Sequence, residues 1–229
     1  ASNYEVPRLE LPPPPGDDAP TLVHISTRDL HVGEPGDPQD YHDEIMARIE
    51  RCASWHARAY GRIDRWLVTI GSDWCTIDTA GRTTTKGTAI PGAHHPEVVR
   101  RWAERLAVDA IDMLRQIAPV TAIQEQGNHD TITSGALASV CFAWFRGCED
   151  VEVLRPELND QTRDVRTYYQ WHDIMIAGHH GHVTSPTQMP RIMAAERPRM
   201  WGEARHRYAL LGHRHHSKRW PAGDHGGAE

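Results

Sequence analysis

Short apolar runs alternate along this chain with longer stretches of helical spacing. TLVHIST (21–27), RWLVTIG (65–71), VTAIQEQ (120–126), DVEVLRP (150–156) and RYALLGH (207–213) each read as a strand, and TYYQWHDIMIAG (167–178) holds another. Between them, residues 41–60 place Ile45, Ile49, Cys52, Trp55 and Ala59 on one helical face. Residues 96–117 do the same with Val98, Trp102, Leu106, Ala110, Met113 and Ile117. Residues 133–146 also read as helix, as do 187–204, where prolines interrupt the pattern. Strands alternating with helices predict a layered α/β fold, with ligands expected at the carboxyl ends of the strands. Residues 1–20 include LPPPPGDDAP, whose prolines favour extended geometry and exclude helix, so they predict a tail. The predicted domain covers 21–220, with 221–229 as a second tail.

Composition narrows the function classes. No apolar run reaches the roughly 18 residues that a membrane-spanning helix needs, and the N-terminus lacks the basic-then-apolar pattern of a signal peptide. The cysteines Cys52, Cys75, Cys141 and Cys148 form no C-x-x-C pair, which predicts reduced thiols in a cytoplasmic protein. A net charge of −6 argues against broad, nonspecific binding to a phosphate backbone. It leaves room for a local basic patch, or for a metal that supplies positive charge itself. The 16 histidines are the departure from ordinary usage, and several fall where strands end.

Set side by side, those strand ends share a chemistry. They carry Asp29-Leu30-His31, Gly71-Ser72-Asp73, Gly127-Asn128-His129-Asp130, His179-His180-Gly181-His182 and Gly212-His213-Arg214-His215. Taken alone, Gly127-Asn128 would also suit a plain turn, because both residues tolerate positive φ. Residues two apart in extended chain point the same way, so Asp29 with His31, and His213 with His215, can each offer two side chains to one place. Carboxylate, imidazole and amide oxygen without thiolate suit Mn²⁺, Fe or Zn²⁺. The long Gly- and Thr-rich loop 79–92 holds Arg82 and Lys86, which could contact substrate phosphates or simply be solvated loop charges. Asp78, five residues beyond Asp73, reads as a hydrogen-bonding loop residue.

The order D-x-H, G-x-D, G-N-H-D, H-x-H and G-H-x-H, each after a strand, resembles the calcineurin-like metallophosphoesterase superfamily from about Thr21 to His216. GSDWCTIDTAGRTTTKGT and MWGEARHRYALLGHRHH resemble a narrower branch carried by bacteriophages and prophages, similar in turn to the repair exonucleases of that superfamily. The resemblance implies a β-sandwich flanked by helices (α/β/β/α). Only 14 residues follow His215, so it implies either a shortened C-terminal sheet or a longer natural chain. Two divalent metals are implied, with Mn²⁺ as the first expectation. Asp29, His31 and His215 would hold one metal; Asn128, His180 and His213 would hold the other; Asp73 would bridge them. His179 is the alternative to His180. His129 would face the substrate, with Asp130 orienting it. His24 and His216 are expected to be ordinary histidines, and His182 to stand behind the ligands or at the surface. The family pattern runs from the first strand almost directly into Asp, whereas here Ser26-Thr27-Arg28 intervenes.

The implied activity is hydrolysis of a phosphodiester by a hydroxide bridging the metals, on a cyclic nucleotide or on nucleic acid. A DNA exonuclease or endonuclease of phage origin is the near alternative, and phosphomonoesterase activity ranks after it. A metal-binding interaction module without catalysis is the alternative of another class. No membrane partner is expected.

Overall fold

A computed structural model describes residues 20–155 and 166–214; the predicted tails (Pro20 apart), His215 and His216 lie outside them. Four strands, β1 (Leu22–Ile25), β2 (Arg65–Gly71), β3 (Val120–Glu125) and β4 (Val151–Leu154), form an all-parallel sheet in that order. A second sheet contains β5 (Thr167–Trp171), β6 (Ile174–His179) and β7 (His206–Leu211), with β5 antiparallel and β7 parallel to β6. The helices are α1 (Pro38–Tyr60), α2 (Pro96–Arg115), α3 (Thr133–Trp144), α4 (Met189–Glu196) and α5 (Pro198–Glu203).

Side-chain alternation along the strands sorts these elements into layers. Trp66, Val68 and Ile70 of β2 join the core shared with α1, α2 and α3, whereas Leu67 between them meets Ile123 and Ile176 in the space between the sheets. Met175 and Ala177 of β6 pack on the other side against Met189 and Met193 of α4. The order is therefore helices, sheet, sheet, helices. Central strands buried on both faces explain why RWLVTIG reads as an unbroken apolar run rather than an alternating one. Each fully buried Leu or Ile contributes about 1.5–3 kcal/mol of burial.

The helical faces differ from the sequence expectation by a rotation. On α1 the buried apolar residues are Ile45, Met46, Ile49, Ala53 and Ala57, while Cys52, Trp55 and Ala59 face solvent. On α2 the stripe runs through Val99, Ala103, Leu106, Ala107, Ala110, Ile111, Met113 and Leu114, with Val98 exposed and Trp102 and Ile117 half-buried. Alanines occupy the buried stripes, Ala53 and Ala57 on α1 and Ala103, Ala107 and Ala110 on α2, while Trp55 is exposed and Trp102 packs half-buried against the core. TYYQWHDIMIAG holds two strands rather than one, joined through His172 at φ 51°. Cys148 lies past the end of α3, and all four thiols are free. Among the described residues no helix is long and apolar enough to cross a membrane.

His24 of β1 is directed between the sheets, its Nε2 3.3 Å from Thr69 Oγ1. Burial, helped by the nearby Arg28 charge, pushes its pKa down to about 3 from the ordinary 6.5. The folded state thus binds fewer protons than the unfolded state in that window. Its stability contribution is intact above pH 6.5 and is lost as pH falls toward 3. Urea melts should show His24→Gln losing less stability than the parent between pH 6.5 and about 4. Equal losses would contradict this placement.

Candidate metal centre

The parallel strands deliver their C-terminal ends to one edge, and the loops that follow are tied together by backbone hydrogen bonds. Ile25 pairs with Val68 and, past Ser26-Thr27-Arg28, Val32 pairs with Cys75. The same number of residues separates the two pairings on either side, so the intervening triplet interrupts the ladder without shifting its register. Asp29 N–H donates to the Ser72 carbonyl at 2.9 Å and His31 N–H to the Asp73 carbonyl at 3.0 Å. Asp29, His31, Ser72, Asp73 and His213 all have positive φ, between 53° and 72°. Left-handed backbone at non-glycine residues costs on the order of 1–3 kcal/mol each and gathers where side chains must be aimed.

Two overlapping groups of donors result. Asp29, His31 and Asp73 offer atoms that all lie within 4.8 Å of one another, and so do Asp73, His180 and His213. Asp73 belongs to both. His180 Nε2 is 2.9 Å from Asp73 Oδ2 and 3.0 Å from Asn128 Oδ1, so the amide faces the second group. Ser72 Oγ lies 2.9 Å from His180 Nδ1 and sets the ring. The two sheets also meet here: His213 N–H donates to the Asp29 carboxylate at 3.0 and 3.1 Å. Carboxylates, imidazoles and one amide oxygen form a donor set that fits a divalent cation of intermediate hardness. These clusters could hold a metal ion. His180 and Asp73 are buried, His31 and Asp29 half-buried and His213 exposed, so the centre opens to solvent on one side.

Burial raises the Asp73 carboxyl, but hydrogen bonds from His180 and from the His129 N–H, with the charge of His180, bring it below its ordinary value. Asp130 is fully buried and accepts backbone N–H groups from Asp73, Trp74, Cys75 and Gly127 at 2.8–3.4 Å. Burial and then the Asp73 charge push its pKa up to about 7, against the pull of those donors. Gly127 is glycine because of close approach: a Cβ there would lie 1.9 Å from Asp73 Oδ1.

Several expected roles change hands. Asp130 does not orient His129; its carboxylate is spent on the loop that carries Asp73, and the Thr76 carbonyl holds His129 Nδ1 at 3.0 Å instead. His179 is in neither donor group. Its Nδ1 accepts the Gly181 N–H, and burial followed by the Arg166 charge pushes its pKa down to about 3. Arg82 turns back to donate to the Ala93 carbonyl and braces the loop rather than reaching toward the centre. Lys86 is exposed. Asp78 accepts the N–H groups of Ile132 and Thr133 at 2.9 and 2.8 Å, stapling the Thr-rich loop to the start of α3. Ser72 and Thr76 were not singled out in the sequence. Ser72 stands within G-S-D as an unremarkable small residue, and Thr76 acts through its backbone, which leaves no side-chain signal to read.

Metal content after Mn²⁺ loading and desalting separates the candidate ligands. Asp73→Asn should empty both groups without unfolding the protein, because asparagine also tolerates positive φ. His180→Ala should lose metal from the group it shares with His213, whereas His179→Ala should keep the parent's content; the reverse pattern would overturn the assignment. The residues themselves carry this reading, for no family model, curated protein or solved structure matches the chain.

Proposed function

We propose that this protein is a dinuclear metal-dependent phosphoesterase, acting on phosphodiesters and built on the layered metallophosphoesterase fold. The observation that carries the reading is Asp73, whose carboxylate belongs to both donor groups. One carboxylate common to two adjacent cation sites is what a pair about 3.5–4 Å apart requires. Asp29 and His31 would hold one cation, and Asn128, His180 and His213 the other. Mn²⁺ is the first expectation for the pair, with Fe or Zn²⁺ also suited to the donor set. Two such cations supply positive charge to phosphoryl oxygens and lower the pKa of water at the site.

The chain's own groups do the remaining work. A carbonyl can only accept, so His129 Nδ1 carries the proton that binds Thr76 and Nε2 is the ring nitrogen left for substrate. The ring stands edge-on to His31 at 4.9 Å, beside the first donor group. Protonated, Nε2 can donate to a phosphoryl oxygen and pass its proton to the leaving oxygen. Ser72 holds the His180 ring, and Asp130 holds the loop beneath Asp73. Lys86 adds a cation that can meet a substrate phosphate at the rim. A chain charge of −6 favours a small phosphodiester over a long nucleic acid.

Metal-stripped protein resupplied with Mn²⁺ should hydrolyse a chromogenic phosphodiester and a 2′,3′-cyclic nucleotide faster than a monoester. His129→Ala should keep its metal and lose about 10²–10⁴-fold in turnover. Degradation of linear DNA in preference to small diesters would make the protein a nuclease. Two bound metals with no turnover on any of these substrates would favour an interaction module and contradict the proposal.

A further inference from the structure

Arg28 stands directly before Asp29, where a cation would be expected to face solvent or substrate. It does neither. Its Nε donates to Glu125 Oε2 at 2.8 Å and its Nη2 to Oε1, and the two side chains are only 4% and 0% exposed. The remaining Nη1 donates to Ser26 Oγ at 3.0 Å. Burying an ion pair costs both charges their hydration, and an apolar pair of similar volume is often as stable. What a bidentate guanidinium–carboxylate pair adds is fixed geometry.

The surroundings show what that geometry controls. Glu125 ends β3, and its backbone carbonyl accepts the Ser72 N–H at 2.9 Å, so the same residue holds the loop of Asp29 through its side chain and the loop of Asp73 through its backbone. In β6, a Cβ at Gly178 would lie 2.1 Å from Glu125 Oε1, so the strand leading to His180 rests against the carboxylate. A Cβ at Gly212, next to His213, would lie 3.0 Å from Arg28 Cδ. The segments carrying Asp29, Asp73, His180 and His213 thus all abut one buried pair.

We propose that Arg28 and Glu125 are positioning residues that set the spacing between the two donor groups, by fixing the separation of the two sheets at their ligand-bearing ends. This rests on the dinuclear reading above. Paramagnetic resonance of the protein loaded with two Mn²⁺ reads that spacing directly through the magnetic coupling of the ions. Glu125→Gln keeps the shape of the side chain, and Arg28→Lys keeps the charge but loses the two-pronged contact. Both are expected to weaken binding of the second Mn²⁺ by about 10–100-fold and to replace the coupled spectrum with that of isolated ions. The double substitution Arg28→Met with Glu125→Leu should fold at least as stably as the parent without metal, yet show the same loss of coupling. Parent-like affinity and coupling in the double variant would overturn the positioning role. A parent protein that itself never shows a coupled pair would defeat the dinuclear reading instead, and the positioning role with it.

Discussion

The carboxylate of Asp73 is the point on which the rest of the centre depends. One oxygen accepts the His129 N–H at 2.7 Å and the other meets His180 Nε2, while the backbone carbonyl takes the His31 N–H. Segments following β1, β3 and β6 are therefore all referred to one residue after β2. Asp130 secures the loop of that residue by accepting the N–H groups of Asp73, Trp74 and Cys75, with a fourth from Gly127, whose missing Cβ makes room for the Asp73 carboxylate. Asp73 and Asp29 are carried within one donor group, so two carboxylates crowd the same small space. Like charges this close repel, and a bound cation removes the repulsion while satisfying the imidazoles around it.

The arrangement sets local cost against global support. Five residues at the centre adopt left-handed backbone, and Ser72, Asp73 and Asp130 are buried polar groups. Elsewhere the chain follows its preferences. Asp37 caps α1 ahead of a proline, and alanines are buried on both α1 and α2. The two-sided burial of β2 and β3 provides a rigid floor. Strain at the strand ends persists because that floor over-determines them. The Arg28–Glu125 pair extends the same logic across the gap between the sheets, where Leu67, Ile123 and Ile176 form a small buried apolar cluster.

Much of this was legible in the residues alone. The strand runs were long enough and apolar enough to be read within a few residues, and RWLVTIG coincides with β2 from end to end. Ligand types at strand ends pointed to a common edge because parallel topology forces such ends together. What could not be read depends on three-dimensional neighbours. Trp55 and Trp102 drew the predicted helical faces toward themselves, whereas the neighbouring Ala53 and Ala103 are the residues fully buried there. The choice between His179 and His180 turns on strand pleat, which sends adjacent side chains to opposite faces. The partner of His129 is a backbone carbonyl, and the partner of Arg28 lies almost a hundred residues away, at Glu125.

Whether one carboxylate joins two cations decides what this centre can do. Anomalous diffraction at the manganese edge from crystals soaked in Mn²⁺ tests this most directly. Two peaks about 3.5–4 Å apart, with Asp73 oxygens bonded to both, are the predicted result. A single peak, or two peaks that share no ligand, would contradict it.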